Sequence, residues 1–182
     1  MERVQAGDEA ALGSLMDRWE RPVKSVIARL VLNAREAEEL AQETFVRVWQ
    51  QREKFRTGAA FRPWILAIAF NLARNRLRWW RRRPDVSLDE WSETRLPAIE
   101  AQGSLNARGA EQMEGAERAA AVRDAIAALS LELREALVLF EYEQLSHAEI
   151  AAVVGATPKA VETRIYRARE KLRAALKPWM RG

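Results

Sequence analysis

The 182-residue chain contains no cysteine and a single histidine, His147. Disulfides, thiolate metal sites and a cysteine nucleophile are therefore excluded. One histidine also excludes paired-histidine metal sites and a conventional catalytic triad, unless another base substitutes. Long apolar runs are missing as well. The longest, Trp64 to Phe70, has seven residues, far short of the ~18 that span a bilayer. The opening MERVQAGDEAALG lacks the apolar stretch of a signal peptide. No glycine-rich phosphate loop of Walker type is present. These absences argue against an enzyme, a bound metal, a cofactor or membrane insertion, and the expected location is cytoplasmic.

Charge is plentiful and unevenly placed. Lys and Arg number 30 against 26 Asp and Glu, and the isoelectric point of about 9.8 leans toward an anionic partner. From Arg74 to Arg83 the run RNRLRWWRRR holds six arginines and no acid. From Asp85 to Glu117 there are eight acids and only two bases, Arg95 and Arg108. Basic segments separated by an acidic connector suit two lobes that lie on DNA with a tether kept off it.

Apolar spacing predicts an all-α chain. Leu12, Leu15, Met16 and Trp19 mark a first helix, and Val23, Ile27, Leu30 and Val31 a second. A third follows Ala37, Leu40, Ala41, Thr44, Phe45 and Val48, leaving Glu36, Glu39, Gln42, Glu43 and Gln50 outward. FRTGAA, residues 55–60, reads as a loop, and a long helix then runs from Phe61 into the arginine cluster. Periodicity fails from Pro84 to about Gly115, a flexible linker in which Trp91 and Leu96 could still dock, and returns at Ala116. Ser130 is placed to cap a further helix. The reading is two small helical domains, 1–83 and 116–182, joined by an acidic linker, 84–115.

The last part of the chain is the most specific. Ser146 with Glu149 forms a capping box, Gly155 fits a left-handed helix end, and Thr157 with Pro158 starts the next helix. A short helix, a tight turn and a basic second helix make a helix-turn-helix suited to a major groove. A plain helical hairpin with a solvated charged face is the alternative. With Val161, Ile165, Ala168 and Leu172 inward, the opposite face is Lys159, Thr163, Tyr166 and Glu170, flanked by Glu162, Arg164 and Arg167. Lys159 and Glu162 are expected to read bases, and Arg167 and Arg169 to meet phosphates.

In AFNLARNRLRWWRRR, arginines can grip phosphate while Trp79 and Trp80 offer stacking platforms for unstacked bases. A solubilising helix end would explain a few arginines but not tryptophans among them. The acidic face of the third helix is either simply solvated or a docking surface for a basic partner helix.

GDEAALGSLMDRW, REAEELAQETFVRVW, KFRTGAAFRPWILAIAFNLARNRLR and LSHAEIAAVVGATPKAVETRIYRAREKLRAAL together resemble the extracytoplasmic-function (ECF) sigma factors of bacterial RNA polymerase. The resemblance spans the chain apart from the linker. It implies a promoter-specificity subunit whose region 2 and region 4 are the two helical domains, with core RNA polymerase and promoter DNA, duplex and melted, as partners. It assigns Glu39, Gln42 and Glu43 to the polymerase clamp helices. Arg56, Thr57 and Ala59 would line a pocket for a base flipped from the −10 element. Asn71, Arg74, Asn75 and Arg78 become candidates for further −10 contacts. The terminal helix-turn-helix would read the −35 element. An anti-sigma factor is a usual partner in the family, and no regulatory domain is expected beyond Gly182. The rivals are a helix-turn-helix regulator whose first domain merely dimerises, and a helical adaptor with no DNA role.

Overall fold

The structure, a computed structural model, describes residues 1–82 and 109–180. Most of the expected linker, with Trp91 and Leu96, lies outside those residues. The described residues form α1 (Glu2–Gln5), α2 (Glu9–Val31), α3 (Ala34–Gln50), α4 (Phe61–Arg81), α5 (Gly109–Ala127), α6 (Leu131–Glu141), α7 (His147–Val154) and α8 (Pro158–Leu176). Short 3-10 turns cover Arg52–Lys54 and Lys177–Met180. Among the described residues no strand occurs.

Where two helices were expected before residue 32, one 23-residue helix runs through Pro22. An interior proline removes a backbone hydrogen bond and crowds the preceding turn, at a cost of ~3 kcal/mol. The apolar stripe is continuous across it: Met16 and Trp19 pack on the same core that buries Val23, Val26, Ile27 and Leu30. Burial of that stripe outweighs the proline. The helix stops at Leu32, whose φ of 62° is the left-handed cap normally left to glycine. Asn33 then caps α3 by accepting from the Glu36 amide at 3.0 Å.

Other expectations shift in detail. Helix α5 begins at Gly109, ahead of the return of periodicity at Ala116. Ser130 holds the N-cap position of α6 without a side-chain capping bond; its backbone carbonyl accepts from Leu133 and Arg134 instead. Glu36 is buried rather than outward, because the Arg76 guanidinium donates to it at 2.5 Å. Its carboxyl is nevertheless raised above the ordinary range, since burial outweighs the nearby cation. The short helix α1 has no signal in the apolar pattern.

The two helical sets share one continuous core. Val26, Leu30, Leu66, Ala69 and Phe70 from the first half join Leu139, Ile150 and Val153 from the second. Helix α4 packs on α2, α3 and α7, while α2 also meets α6. Polar links cross the same boundary. Arg62 pairs with Glu143 at 2.6 Å and Arg74 with Glu135 at 2.5 Å. The Arg29 guanidinium lies 4.3 Å over the Tyr142 ring.

Arg134 is the deepest of these links. It is 9% exposed and donates to the carbonyls of Ile126, Ala127 and Leu129 at the end of α5, and to Leu30 near the end of α2. Among the described residues no carboxylate pairs with it. The partial negative charge of two helix C-termini takes that role. Burial, with Arg81 second, lowers its pKa, but a guanidinium remains cationic. Arg134→Met should cost ~2–4 kcal/mol, because it orphans buried carbonyls. Arg134→Lys should not restore this, since an ammonium cannot reach both helix ends in one plane. Urea denaturation of the three proteins measures both effects.

Candidate nucleic-acid interface

Three polar faces stay open while their opposite faces form the core. On α3, Leu40, Ala41, Thr44 and Phe45 are buried, which turns Glu39 and Gln42 to solvent and leaves Glu43 half-buried. Neither acid is free. Arg35 donates to Glu39 at 3.3 Å, Arg76 lies 3.5 Å from it, and Arg47 donates to Glu43 at 2.9 Å. Val46, 49% exposed, stands among them. An exposed valine inside an acidic and arginine-paired surface is the make-up of an interface whose rim is charged. Lys24 on α2 extends the surface through Glu38, whose carboxyl it holds below the ordinary range by hydrogen bonding at 2.7 Å.

On α4 the buried face is Ile65, Leu66, Ile68, Ala69, Phe70 and Ala73. Asn71, Asn75 and Arg78 therefore form an exposed row. The Arg78 guanidinium donates to Asn75 at 2.8 Å, which orients the amide along the helix. Arg74 is partly buried against Glu135, though its Nη1 also donates to Asn71 at 3.3 Å. Of the four candidates, three are open and Arg74 is engaged by the second half of the chain. Trp79 is 41% exposed, and Trp80 is half-buried with its ring edge-on to Trp79 at 5.0 Å between centroids. The pair is thus one aromatic surface of which Trp79 is the more exposed ring.

The loop before α4 turns at Gly58, whose φ of 83° is costly for any residue with a Cβ. Residues 56–60 are all exposed. Phe55 is buried edge-on to Phe61 and Trp64, and Phe61 in turn meets Trp19, so aromatic packing fixes the loop's two ends. A cavity of about 560 Å³ opens between this loop, α1 and the start of α2. Thr57, Gly58 and Ala59 line it together with Arg3, Val4, Ser14, Arg18, Phe55 and Phe61. Arg56 is exposed but not among the lining residues. The contribution of Val4, Ser14 and Arg18 was not legible in the sequence, because nothing local ties the N-terminus to residue 57.

In the helix-turn-helix, Ser146 accepts from the Glu149 amide, and Glu149 accepts from the Ser146 amide at 2.8 Å. The Ser146 hydroxyl bond, then the backbone bond, hold the Glu149 carboxyl low. Gly155 adopts φ 68°, and Thr157 caps α8 by accepting from Ala160. Val161, Ile165 and Ala168 are buried and Leu172 is half-buried. Lys159, Glu162, Thr163, Tyr166 and Arg167 are exposed, Tyr166 at 66%. Lys159 donates to Glu162 at 2.8 Å and lowers its carboxyl. Arg164 and Arg169 lean back toward α6, 3.4 Å from Glu132 and 2.7 Å from Glu141 respectively. Arg169 also stacks 5.0 Å over Phe140. Arg167 has no such partner among the described residues and is exposed beside Tyr166.

Comparison with known proteins matches this arrangement. Residues 15–83 match sigma-70 region 2, and residues 119–172 match sigma-70, region 4. The chain is 35% identical to the RNA polymerase sigma-H factor of Pseudomonas aeruginosa over 188 aligned positions, covering 100% of this chain and 94% of that protein. It is 31% identical to the ECF RNA polymerase sigma-E factor of Escherichia coli K12 over the same shares. The solved structure of CnrH in complex with the cytosolic domain of CnrY superposes with a TM-score of 0.69 at 26% identity, over 97% of this chain and 94% of that one. RpoE of Bartonella quintana, solved in complex with the anti-sigma factor NepR, shares the fold at 23% identity, with a TM-score of 0.69 over 91% and 96% of the two chains. The protein is a sigma factor, a promoter-recognition subunit of RNA polymerase. It belongs to the extracytoplasmic-function group of the sigma-70 family.

Burial raises the Glu135 carboxyl despite its bond to Arg74. A raised carboxyl binds its proton more tightly in the folded state than in the unfolded one. Its contribution to stability is therefore full at low pH and is lost as pH rises through the raised value. The stability difference, wild type minus Glu135→Gln, should fall as pH rises above the ordinary carboxylate range, about pH 4. Urea midpoints across that rise measure it.

Proposed function

We propose that this sigma factor docks on core polymerase through Glu39, Gln42 and Glu43, reads the −10 element with the 56–60 loop and α4, and reads the −35 element with α8. The observation that carries the reading is the set of three open polar faces on helices whose other faces make one core. Division of labour follows the expected segments, 1–83 for region 2, 84–115 as tether and 116–182 for region 4. Melting is assisted when the cavity beside Thr57 and Ala59 traps an unstacked base, while Trp79 stacks on the opened strand. Asn71, Asn75 and Arg78 follow the adjacent backbone and bases. The energy comes from binding, so the protein has no catalytic step of its own. It works in the cytoplasm, with promoter DNA and core polymerase as its partners.

The Arg74–Glu135 pair gives the packing of the two halves a functional meaning. For Arg74 to meet DNA, α6 must move away from α4, and polymerase binding drives that opening. An anti-sigma factor that favours the packed form is the expected antagonist, since two solved proteins of this fold were captured with cytosolic or anti-sigma partners. Holoenzyme assembly followed by permanganate mapping of an opened promoter tests the whole scheme.

Charge reversal by Glu39→Arg with Glu43→Arg should weaken core binding by more than about tenfold while leaving the urea midpoint unchanged. Fluorescence titration with core enzyme reads the first and denaturation the second. On α8, Lys159→Ala or Glu162→Ala should shift preference within a randomised −35 library, by ~1–3 kcal/mol at an affected base pair. Arg167→Ala should weaken all sequences alike and lower the salt slope by about one ion. Binding at two salt concentrations separates base readers from phosphate contacts.

A further inference from the structure

The loop beside the cavity is anchored from an unexpected quarter. Residues 56–60 are exposed, and within them the one backbone hydrogen bond runs from the Ala59 amide to the Arg56 carbonyl at 3.0 Å. Just upstream, the 3-10 turn Arg52–Lys54 ends at Phe55, whose amide donates to the Arg52 carbonyl at 3.2 Å. The Gln5 side-chain amide donates to the carbonyls of both residues, to Arg52 at 3.0 Å and to Phe55 at 2.7 Å. Among the described residues these are the only side-chain hydrogen bonds that reach residues 52–60 from another part of the chain. They bridge 47 and 50 positions of sequence.

Helix α1 is itself well seated. Val4 is 1% exposed and lines the cavity, and the chain turns sharply at Gly7, φ 87°. Arg3 pairs with Asp8 at 2.7 Å, and Asp8 caps α2 by accepting from the Ala11 amide. Bonds from Ala11 and Arg3 hold the Asp8 carboxyl low. The N-terminal segment thus forms the wall opposite Thr57 and Ala59, with Gln5 as the tie between the two walls.

We propose that Gln5 is a positioning residue for −10 recognition: its paired hydrogen bonds to the Arg52 and Phe55 carbonyls set the width of the cavity and hence which base it accepts. The inference rests on the reading that this cavity takes an unstacked −10 base. Gln5 does not touch the base. It acts through Phe55, whose carbonyl it holds and whose ring lines the cavity. A side chain of equal length without donors frees the loop, and a cavity of variable width discriminates poorly between bases of different size and edge.

The test uses full-length protein assembled with core polymerase and a promoter library randomised at the −10 element. Gln5→Met, which keeps length and loses both donors, should reduce discrimination among −10 bases about tenfold, the worth of a hydrogen-bond pair. Core affinity and −35 preference should be unchanged. Gln5→Lys, which restores donors, should recover much of the selectivity. Gln5→Glu, with a carboxylate facing two carbonyls, should not. Ala59→Trp, which fills the cavity, probes the underlying reading. If Ala59→Trp abolishes −10 discrimination while Gln5→Met retains it, the positioning role is overturned and the pocket stands. If both retain it, the pocket reading fails as well. If Gln5→Met lowers −10 selectivity, core affinity and −35 preference together, Gln5 is a general structural residue and the proposal is overturned.

Discussion

Helix α4 is the element on which the structure depends. Its face of Ile65, Leu66, Ala69, Phe70 and Ala73 is buried at 2% exposure or less, and it packs on α2, α3 and α7 at once. Alanines at 69 and 73 allow the close approach that packing against three helices requires, while Phe70 and Ile65 fill the space between them. The same helix must offer Asn71, Asn75 and Arg78 to solvent. Core formation and DNA presentation are therefore fixed by one rotation about one axis. A shift of a single residue in that register would bury amides and expose the core.

Arginine serves two distinct purposes in this chain. Arg29, Arg62, Arg74 and Arg134 are spent on contacts between the halves, with a ring, two carboxylates and the Leu30 carbonyl as their partners across that boundary. Arg56, Arg78 and Arg167 are exposed and carry no ion pair among the described residues, although Arg78 donates to Asn75. The excess of positive charge alone would not distinguish the groups. Exposed ion pairs contribute little and are screened by salt, whereas Arg134 and the Arg74–Glu135 pair are shielded. The packed arrangement should loosen through changes at the buried links rather than through ionic strength.

Much of the local structure was legible in the residues. The Ser146–Glu149 box, Gly155 and Thr157–Pro158 form the caps and turn that their identities demand, because each acts over three or four residues. The apolar stripe of α8 correctly set Lys159, Thr163 and Tyr166 outward. Pattern failed where a long-range gain beat a local cost. The apolar spacing suggested two helices before residue 32, but burial on both sides of Pro22 kept one. Ser130 had the composition of a cap and left that work to its carbonyl. Glu36 had an outward acid's spacing until Arg76, forty residues on, drew it in.

What the sequence determined by itself was the all-helical class, the helix-turn-helix and which side of each helix is apolar. Periodicity and capping are short-range, so neighbouring residues suffice to express them. Tertiary structure alone decided that Arg74 is held by Glu135, that Arg134 ties the ends of α2 and α5, and that Gln5 braces the loop behind Thr57. Those contacts join residues between 47 and 104 positions apart, except where Arg134 reaches back to α5. No local signal marks such partners, because their encounter is a consequence of how the apolar faces pack.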